Sequence, residues 1–301
     1  MGGELPVEPE GIHAIYLEIA DEIFAHEETL RNSLPIDTTA GISTHLTEIV
    51  DRWDDGCKSL RTTPTANVYA RECGDPPDPY ILRVLVGLDA EVNVLDDIID
   101  TKDLPTVRRV ALTANAAFAS LLIAESAPPA HREAIATVLR EYFTSLFQIP
   151  LVESRLFEKM RDAATPTARR DAAWEIYAYR ACDIDAFARI PGLVVGLDEQ
   201  TKQRLLSDLR VYRARRLLYK DIRDVSRDLA DDDMTPIVAL LTSYDSIETV
   251  VTEVEQIYDQ FEYTTTGKAR YRDVLTELEN PPDDLATLLR EQQQLVRATA
   301  D

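Results

Sequence analysis

The chain has 301 residues and a net charge of −22, from 54 acidic side chains against 32 basic ones. Nucleic acids and anionic membranes are therefore excluded as expected partners, because both repel so acidic a protein. Only six of the basic residues are lysines. An acidic surface poor in lysine favours a high-salt cytoplasm, such as that of a halophilic archaeon, where screening weakens self-repulsion; an acidic protein of an ordinary cytoplasm is the alternative.

The sequence predicts a cytoplasmic protein without a membrane span. It shows no signal peptide, and its longest uncharged run, residues 110–124, is too short and too polar to cross a bilayer. The three cysteines are odd in number and lack metal or redox spacing, so we interpret them as buried thiols of a reducing compartment. They are Cys57, Cys73 and Cys182.

Apolar residues recur with the period of an α-helix, for example at Val84, Leu85, Leu88, Val92 and Leu95. Strand-like alternation is hard to find and glycine is scarce, so the sequence predicts an all-α fold of about ten to twelve helices. Because no repeat or linker interrupts the pattern, we expect a single domain over residues 13–301. A loose Gly/Pro/Glu-rich segment at 1–12 precedes it.

Caps and helix breakers set the predicted helix boundaries. Proline next to a threonine starts three helices, and the Gly/Pro/Asp-rich stretch at 74–79 separates two others. The predicted ranges are 13–33, a second helix that follows Thr44 into Trp53, 80–100, 105–125, 130–147, 165–187, a long helix from 198 to the acidic stretch at 220–228, a helix from 235, and terminal helices at 246–261 and 283–298.

Two acidic segments about 125 residues apart are the strongest functional signal. The first reads Leu-Asp-Asp-Ile-Ile-Asp at 95–100, and the second reads Lys-Asp-Ile-Arg-Asp-Val-Ser-Arg-Asp at 220–228. On a helix, Asp96 and Asp100 share one face, and so do Asp221, Asp224 and Asp228. Like charges at this spacing repel, and hard divalent cations are the usual partners of clustered carboxylates. The spacing therefore indicates a Mg²⁺–diphosphate site, against the plainer alternative of solvated acidic helix faces.

Several ordered segments resemble the trans-isoprenyl diphosphate synthase (polyprenyl synthetase) family of the class I terpenoid synthase superfamily. Asp96-Asp97-Ile98-Ile99-Asp100 matches the family's first aspartate-rich motif, and Asp221–Val225 resembles the end of the second. The other segments that carry the resemblance are Gly56–Arg61 (Gly-Gly-Lys-x-x-Arg), Cys73–Pro76 (Gly-Gly-Asp-Pro), Pro105-Thr106-Val107, Arg180-Ala181, Asp228-Leu229 and Thr235-Pro236. The resemblance covers residues 40–240, roughly, in the family's order.

The resemblance implies a fold, a reaction and a set of site residues. The fold is a single-domain bundle of helices around a central cavity, and members are usually homodimers. The reaction condenses isopentenyl diphosphate with an allylic diphosphate, by Mg²⁺-assisted ionisation, into a longer isoprenyl diphosphate such as the geranylgeranyl compound. The implied catalytic residues are Asp96, Asp97, Asp100, Asp221 and Asp224, the implied Mg²⁺ ligands are Asp96, Asp100, Asp224 and Asp228, and the implied substrate-binding residues are Lys58, Arg61, Arg180, Lys220 and Gln148.

The sequence departs from the family pattern where charge near a diphosphate matters. Lys220 stands where the second motif begins with aspartate, and one hypothesis is that its ammonium replaces a metal ion and pairs with a diphosphate oxygen. The basic stretch after the first motif is missing, and Asp89 stands where the family has His or Gln. Glu91 stands where the product chain meets an apolar wall, and a buried carboxylate there is costly without a partner.

These departures keep two alternatives open beside a condensing prenyltransferase. The first is a non-catalytic paralogue that forms a heteromer with an active synthase and modulates its product length. The second is a class I terpene synthase or a head-to-head condensing enzyme, which uses allylic diphosphates without isopentenyl diphosphate. The sequence alone does not separate the three.

Overall fold

The computed structural model describes residues 5–33, 60–100, 106–230 and 233–300. Within these ranges the chain is all-α: it folds into fourteen α-helices and one 3₁₀ turn, with no β-strand. The prediction of an all-α fold is confirmed. The predicted helix that ends near Trp53 lies outside the described residues, as does Lys58.

The helices are numbered α1 to α14 in chain order, and most start within a few residues of their predicted positions. They are α1 Pro9–Ser33, α2 Thr62–Cys73, α3 Pro79–Asp100, α4 Thr106–Ser126, α5 Arg132–Leu146, α6 Ile149–Arg161, α7 Pro166–Arg180, the 3₁₀ turn Ala181–Ile184, α8 Asp185–Val195, α9 Glu199–Ala230, α10 Pro236–Ser243, α11 Ile247–Gln260, α12 Thr265–Arg270, α13 Arg272–Glu279 and α14 Leu285–Ala300.

Three differences from the predicted elements have identifiable causes. A separate helix α6 follows α5, with a proline in its first turn, where proline is tolerated because the N–H it lacks would have no helical partner. The helix predicted over 165–187 ends at Arg180, where the 3₁₀ turn begins. The short helices α12 and α13 have too few turns for periodicity to reveal. In addition, α1 begins at Pro9, inside the segment that was expected to be loose.

The described residues fall into two compact units. The N-terminal unit lies within Glu4–Thr137 and Ile190–Gly196, and its main packing is α3 against α4, with α1 and α2 also on α3. Gly87 permits the close approach of α3 and α4, because a Cβ there would lie 3.1 Å from the Ile123 Cγ1. Asn67 holds the start of the chain by accepting from the Val7 N–H at 2.9 Å and donating to its carbonyl. The expectation of a single domain over 13–301 stays a prediction.

The C-terminal unit, within Val138–Arg189 and Leu197–Asp301, is organised around α9, a helix of 32 residues. The Thr201 N–H and hydroxyl both donate to Asp198, which satisfies part of the first turn of α9. Helices α7, α10, α13 and α14 pack against α9. Apolar residues of α9 such as Leu218, Ile222 and Val225 are fully buried in this core. The second acidic motif therefore lies on a helix whose apolar residues are packed in the core of this unit.

Across the described helices, none combines the length and the apolar character that crossing a lipid bilayer requires. The prediction that the cysteines are buried thiols is wrong for Cys73 and is met only in part at Cys182. Cys73 is exposed and Cys182 is half-buried, whereas Cys57 lies outside the described residues. The exposure of Cys73 follows from its place as the last residue of α2, next to the left-handed Gly74.

Candidate functional site

The first acidic motif occupies the C-terminal end of α3, in the N-terminal unit. Asp97 and Asp100 are helical, but their side chains lie outside the described part of the chain. The Asp96 side chain is 45% exposed, and its Oδ2 lies 3.6 Å from a guanidinium nitrogen of Arg61. Two predicted site residues, Asp96 and Arg61, are thus brought together as an ion pair.

Arg61 is itself almost fully buried, with 5% of its side chain exposed. Its guanidinium lies 3.4 Å from Asp89, which is completely buried on α3. Asp89 also accepts from the backbone N–H of Arg61 at 3.0 Å and from the N–H and hydroxyl of Thr62 at 2.9 and 2.7 Å. Burial raises the pKa of Asp89, while the Arg61 charge and these hydrogen bonds oppose the rise. The position that departs from the family pattern therefore anchors the start of α2.

Glu91 has a partner. Its Oε1 accepts from the Ser120 hydroxyl of α4 at 2.9 Å. Burial raises the pKa of Glu91, and the Ser120 hydrogen bond opposes this. The cost that the sequence predicted for a carboxylate here is thus offset in part by one hydroxyl.

The second acidic motif lies on α9, in the C-terminal unit, and Asp221 is its most buried member, with 4% of its side chain exposed. One oxygen of Asp221 accepts from the Arg180 guanidinium at 2.8 Å and from the Tyr177 hydroxyl at 3.0 Å. Arg180 also lies 3.7 Å from Glu153 of α6. Burial works against the charge of Arg180, but Asp221 and Glu153 outweigh it and raise its pKa. Arg180 is thereby locked to Asp221.

The next carboxylate along the same face is Asp224, which is about one quarter exposed and is contacted by two cations of α9. Arg227 donates to its Oδ2 at 2.7 Å, and the Lys220 ammonium lies 3.8 Å from the same oxygen. Burial lowers the pKa of Lys220, opposed by Asp221. Lys220 therefore contacts a carboxylate of its own helix, and its hypothesised contact with a diphosphate stays a prediction.

Asp228 ends the motif and is the least compensated member. Its Oδ2 is buried without a hydrogen-bond partner, and its Oδ1 lies 3.7 Å from Arg227. Burial, and then the charge of Asp221, raise the pKa of Asp228 to about 6. A carboxyl group with a pKa so far from its ordinary value is typical of functional sites.

We name these six groups the second-motif cluster. They are Asp221, Asp224, Asp228, Arg180, Lys220 and Arg227. Cations of the chain already contact all three carboxylates, and Arg180 contacts Glu153 as well, so a Mg²⁺ ion would have to compete with resident cations for these carboxylates. One oxygen each of Asp221 and Asp224 is already shared by two cations or donors. In the part of the chain that the structure describes, no group of three or more His, Cys, Asp or Glu is arranged to hold a metal. In this arrangement the second motif does not fit a metal ion.

Among the described residues, one that the sequence named has no recorded contact with the second-motif cluster, and two that it did not name contact this cluster. Gln148 is exposed at the junction of α5 and α6, where it precedes the first turn of α6. Tyr177 and Glu153, by contrast, contact Asp221 and Arg180. Tyr177 lies one turn before Arg180 on α7, and this spacing was the signal that could have found it. Glu153 comes from another helix and left no such signal.

The C-terminal unit also contains a cavity of about 530 Å³ between α6, α7 and α10. Apolar side chains of Phe157, Met160 and Met234 line it together with Arg161 and Arg169. The residues predicted for the site do not line this cavity, so it is separate from the second-motif cluster.

Comparison with known proteins adds similarity to solved structures. The chain is similar to the solved structure of a geranylgeranyl pyrophosphate synthetase from the archaeon Geoglobus acetivorans, with 14% identical residues over 97% of this chain and 92% of that chain, at a TM-score of 0.44. No protein-family model matches the chain. The curated proteins contain no match to it either. A similarity of this size assigns no family, and we therefore argue the function from the chain's own residues.

Proposed function

We propose that the chain is a trans-prenyltransferase that condenses isopentenyl diphosphate with an allylic diphosphate into a longer isoprenyl diphosphate. The observation that carries the proposal is the second-motif cluster, in particular the buried and unpartnered Oδ2 of Asp228. Buried ion pairs contribute little to stability compared with apolar packing, because desolvation offsets their attraction. A chain that keeps Asp221, Asp228 and Arg180 largely buried, beside further charged groups of α9, is therefore better explained by a site than by folding alone.

The cluster's cations have the chemistry that a diphosphate requires. Arg227 is the most exposed of the three cations, at 58%, but it donates to Asp224 at 2.7 Å; Lys220 is 42% exposed and lies farther from the same carboxylate, at 3.8 Å. An ammonium on a flexible stem can turn from Asp224 to an incoming phosphate oxygen, whereas the planar guanidinium of Arg180 is held on Asp221. In this proposal Lys220 binds the diphosphate and Arg180 positions Asp221. Mg²⁺ stays a prediction for the first motif, where Asp96 is the one ligand whose side chain is described.

The test is release of diphosphate in molar KCl with Mg²⁺, from geranyl or farnesyl diphosphate, with and without isopentenyl diphosphate. Release that requires both substrates supports the proposal. Release from the allylic compound alone would indicate a terpene synthase or a head-to-head enzyme. Absence of release from a protein that is helical by circular dichroism would contradict a catalytic function.

A second candidate is a non-catalytic subunit that associates with an active synthase. Arg61 favours it: the family resemblance assigns this residue to isopentenyl diphosphate, yet its side chain is 5% exposed and is paired with Asp89 and Asp96. A substrate could reach Arg61 only by displacing both carboxylates. Mixing the chain with an active synthase tests this candidate, because a changed product length would support it and an unchanged product would contradict it.

We also propose that the protein is a homodimer in a high-salt cytoplasm. The net charge of −22 supports the high-salt part, since salt screens the self-repulsion of an acidic chain. Leu121 of α4, 58% exposed within the uncharged segment 110–124, supports a contact between copies. Light scattering in molar KCl that gives the mass of a single chain would contradict the dimer.

A further inference from the structure

The second-motif cluster holds its carboxylates with cations of the chain from two different helices. Asp221 receives Arg180 and Tyr177 from α7, and Asp224 receives Lys220 and Arg227 from α9. Each of these two aspartates therefore has at least one positive group within 4 Å. This arrangement differs from a metal-binding motif, in which hard cations supply the positive charge to clustered oxygen ligands.

The geometry also decides what kind of group Arg180 is. Its guanidinium is 19% exposed and contacts carboxylates on both α6 and α9, at Glu153 and Asp221. The Tyr177 hydroxyl, one helical turn away, donates to the same Asp221 oxygen. An arginine held from two sides in this way has its donors directed at the protein, because its planar fork is fixed by the pair that it forms.

We infer that Arg180 and Lys220 are the resident counter-cations of the second acidic motif, so that its carboxylates bind no divalent cation in the ligand-free protein. The contacts support this, since each of the motif's three carboxylates already has a cation of the chain within 4 Å. Removing Arg180 and Lys220 should leave Asp221 without a cation and Asp224 with Arg227 alone, an excess of negative charge on one face of α9 that Mg²⁺ or Mn²⁺ can bind. The inference concerns metal binding and stability, and it holds whether or not the chain has the proposed activity.

The experiment measures thermal unfolding and Mn²⁺ binding by electron paramagnetic resonance, with the full-length chain in molar KCl. We expect Asp221→Asn with Asp224→Asn to leave the metal response of the parent unchanged, because any metal that the parent binds is held elsewhere. We expect Arg180→Gln with Lys220→Gln to lower the melting temperature in EDTA. In that variant Mg²⁺ should restore several degrees, and one more Mn²⁺ ion should bind than in the parent.

Arg213→Gln is the matched control. Arg213 forms another ion pair in the same unit, with two of its nitrogens on Asp183 of the 3₁₀ turn. Its loss should lower the melting temperature as well, but Mg²⁺ should not restore it, because the neighbouring carboxylate, Asp185, keeps its own partner Arg210 and only Asp183 loses a cation.

Two outcomes would overturn the inference. One is that Asp221→Asn with Asp224→Asn binds one Mn²⁺ ion fewer than the parent. This comparison does not depend on any change at Arg180. The other is that Arg180→Gln with Lys220→Gln folds but binds no additional Mn²⁺ ion and is not stabilised by Mg²⁺. Where Arg180→Gln prevents folding, Lys220→Gln with Arg227→Gln provides the comparison, since it removes both cations that contact Asp224 and leaves Arg180 in place.

Discussion

Asp89, in the middle of α3, holds the first turn of α2 through Thr62. Both the N–H and the hydroxyl of Thr62 donate to one Asp89 oxygen, at 2.9 and 2.7 Å. The residue that precedes α2, Arg61, makes no side-chain capping bond of its own. A buried carboxylate of the neighbouring helix thus performs the role that an N-cap side chain performs in most helices. The position of α2 against α3 consequently depends on a charged group.

Replacing the Asp89 carboxylate should lower the stability of the protein strongly. We expect Asp89→Ala to lower the free energy of unfolding by about 3 kcal/mol, because it leaves two N–H groups and one hydroxyl without their acceptor and removes one of the two carboxylates, Asp89 and Asp96, that pair with the buried Arg61 charge. Urea unfolding in molar KCl measures the loss. Asp78→Ala is the control: Asp78 accepts from the Tyr80 N–H in an exposed position, so its removal should cost about 1 kcal/mol. Equal losses in the two variants would contradict the special role of Asp89.

The pH dependence of stability should report on Asp228. Its pKa is raised to about 6 from an ordinary value of 3.8. At pH values between these two pKa values, Asp228 is protonated in the folded protein and ionised in the unfolded chain. The stability that this proton contributes is complete below the ordinary pKa and is lost as the pH rises through the pKa of the folded state. Asp228→Asn cannot ionise, and we expect it to exceed the parent in stability by about 1–2 kcal/mol near neutral pH.

The gain from Asp228→Asn should disappear as the pH falls below the ordinary aspartate pKa, where both proteins carry a neutral side chain. Melting temperatures across this pH range measure it. Asp224→Asn should behave in the opposite way at neutral pH, because Asp224 is already paired with Arg227 and Lys220. An Asp228→Asn variant that is less stable than the parent near neutral pH would show that a cation stabilises the ionised carboxylate.

A third prediction concerns a buried acid in the C-terminal unit, away from the second-motif cluster. Glu279 has no exposed surface and accepts from the hydroxyls of Tyr263 and Tyr258. The Arg215 guanidinium lies 3.8 Å from Glu279, 4.1 Å from the centre of the Tyr258 ring and 4.9 Å from that of Tyr263. These residues join α9, α11 and α13. The Glu279–Arg215 pair is buried, and the Arg215 guanidinium lies against two tyrosine rings.

Removal of that acid should cost far more than its neutralisation. We expect Glu279→Ala to lower the free energy of unfolding by about 4 kcal/mol, because Arg215 is left buried without a counter-ion. Glu279→Gln also removes the charge, but it keeps one oxygen that accepts from a tyrosine hydroxyl and leaves no cavity, so it should cost about 2 kcal/mol. The exposed Glu277 gives the control, and Glu277→Gln should stay within about 0.5 kcal/mol of the parent. Chemical unfolding of the three variants in the same buffer would decide, and a mild Glu279→Ala would contradict a buried ion pair.

The last prediction tests the first motif directly. The joint substitution Asp96→Asn and Asp100→Asn should abolish diphosphate release, since it removes two of the carboxylates that the proposed reaction requires. Circular dichroism should show an unchanged helical content, because both positions are near the C-terminal end of α3. Glu133→Gln, an exposed acidic change in the first turn of α5, should retain activity. Turnover that survives the double substitution would rule out the first motif as part of the site.

Helix positions were largely predictable because caps and prolines act locally. Thr165 and Thr235 accept hydrogen bonds from the N–H groups of Ala168 and Val238, as N-cap residues do, and both helices begin at the following proline. The break after Arg180 was not predictable. The sequence predicts one continuous helix over residues 165–187. In the structure, the Asp183 side chain accepts from Arg213 and the Asp183 carbonyl accepts from the Tyr142 hydroxyl. Those partners are 30 and 41 residues away.

By itself, the sequence determined the all-α class, most helix boundaries and the placement of the acidic residues on shared helical faces, since each follows from interactions within a few residues. Tertiary structure decided what the charged residues do. Arg180 pairs with Asp221 across two helices, and Arg61 with Asp89, so residues expected to bind substrate are held by carboxylates of the chain. Periodicity cannot reveal such pairs, because the energy of a buried charge depends on which distant group shares its low-dielectric surroundings.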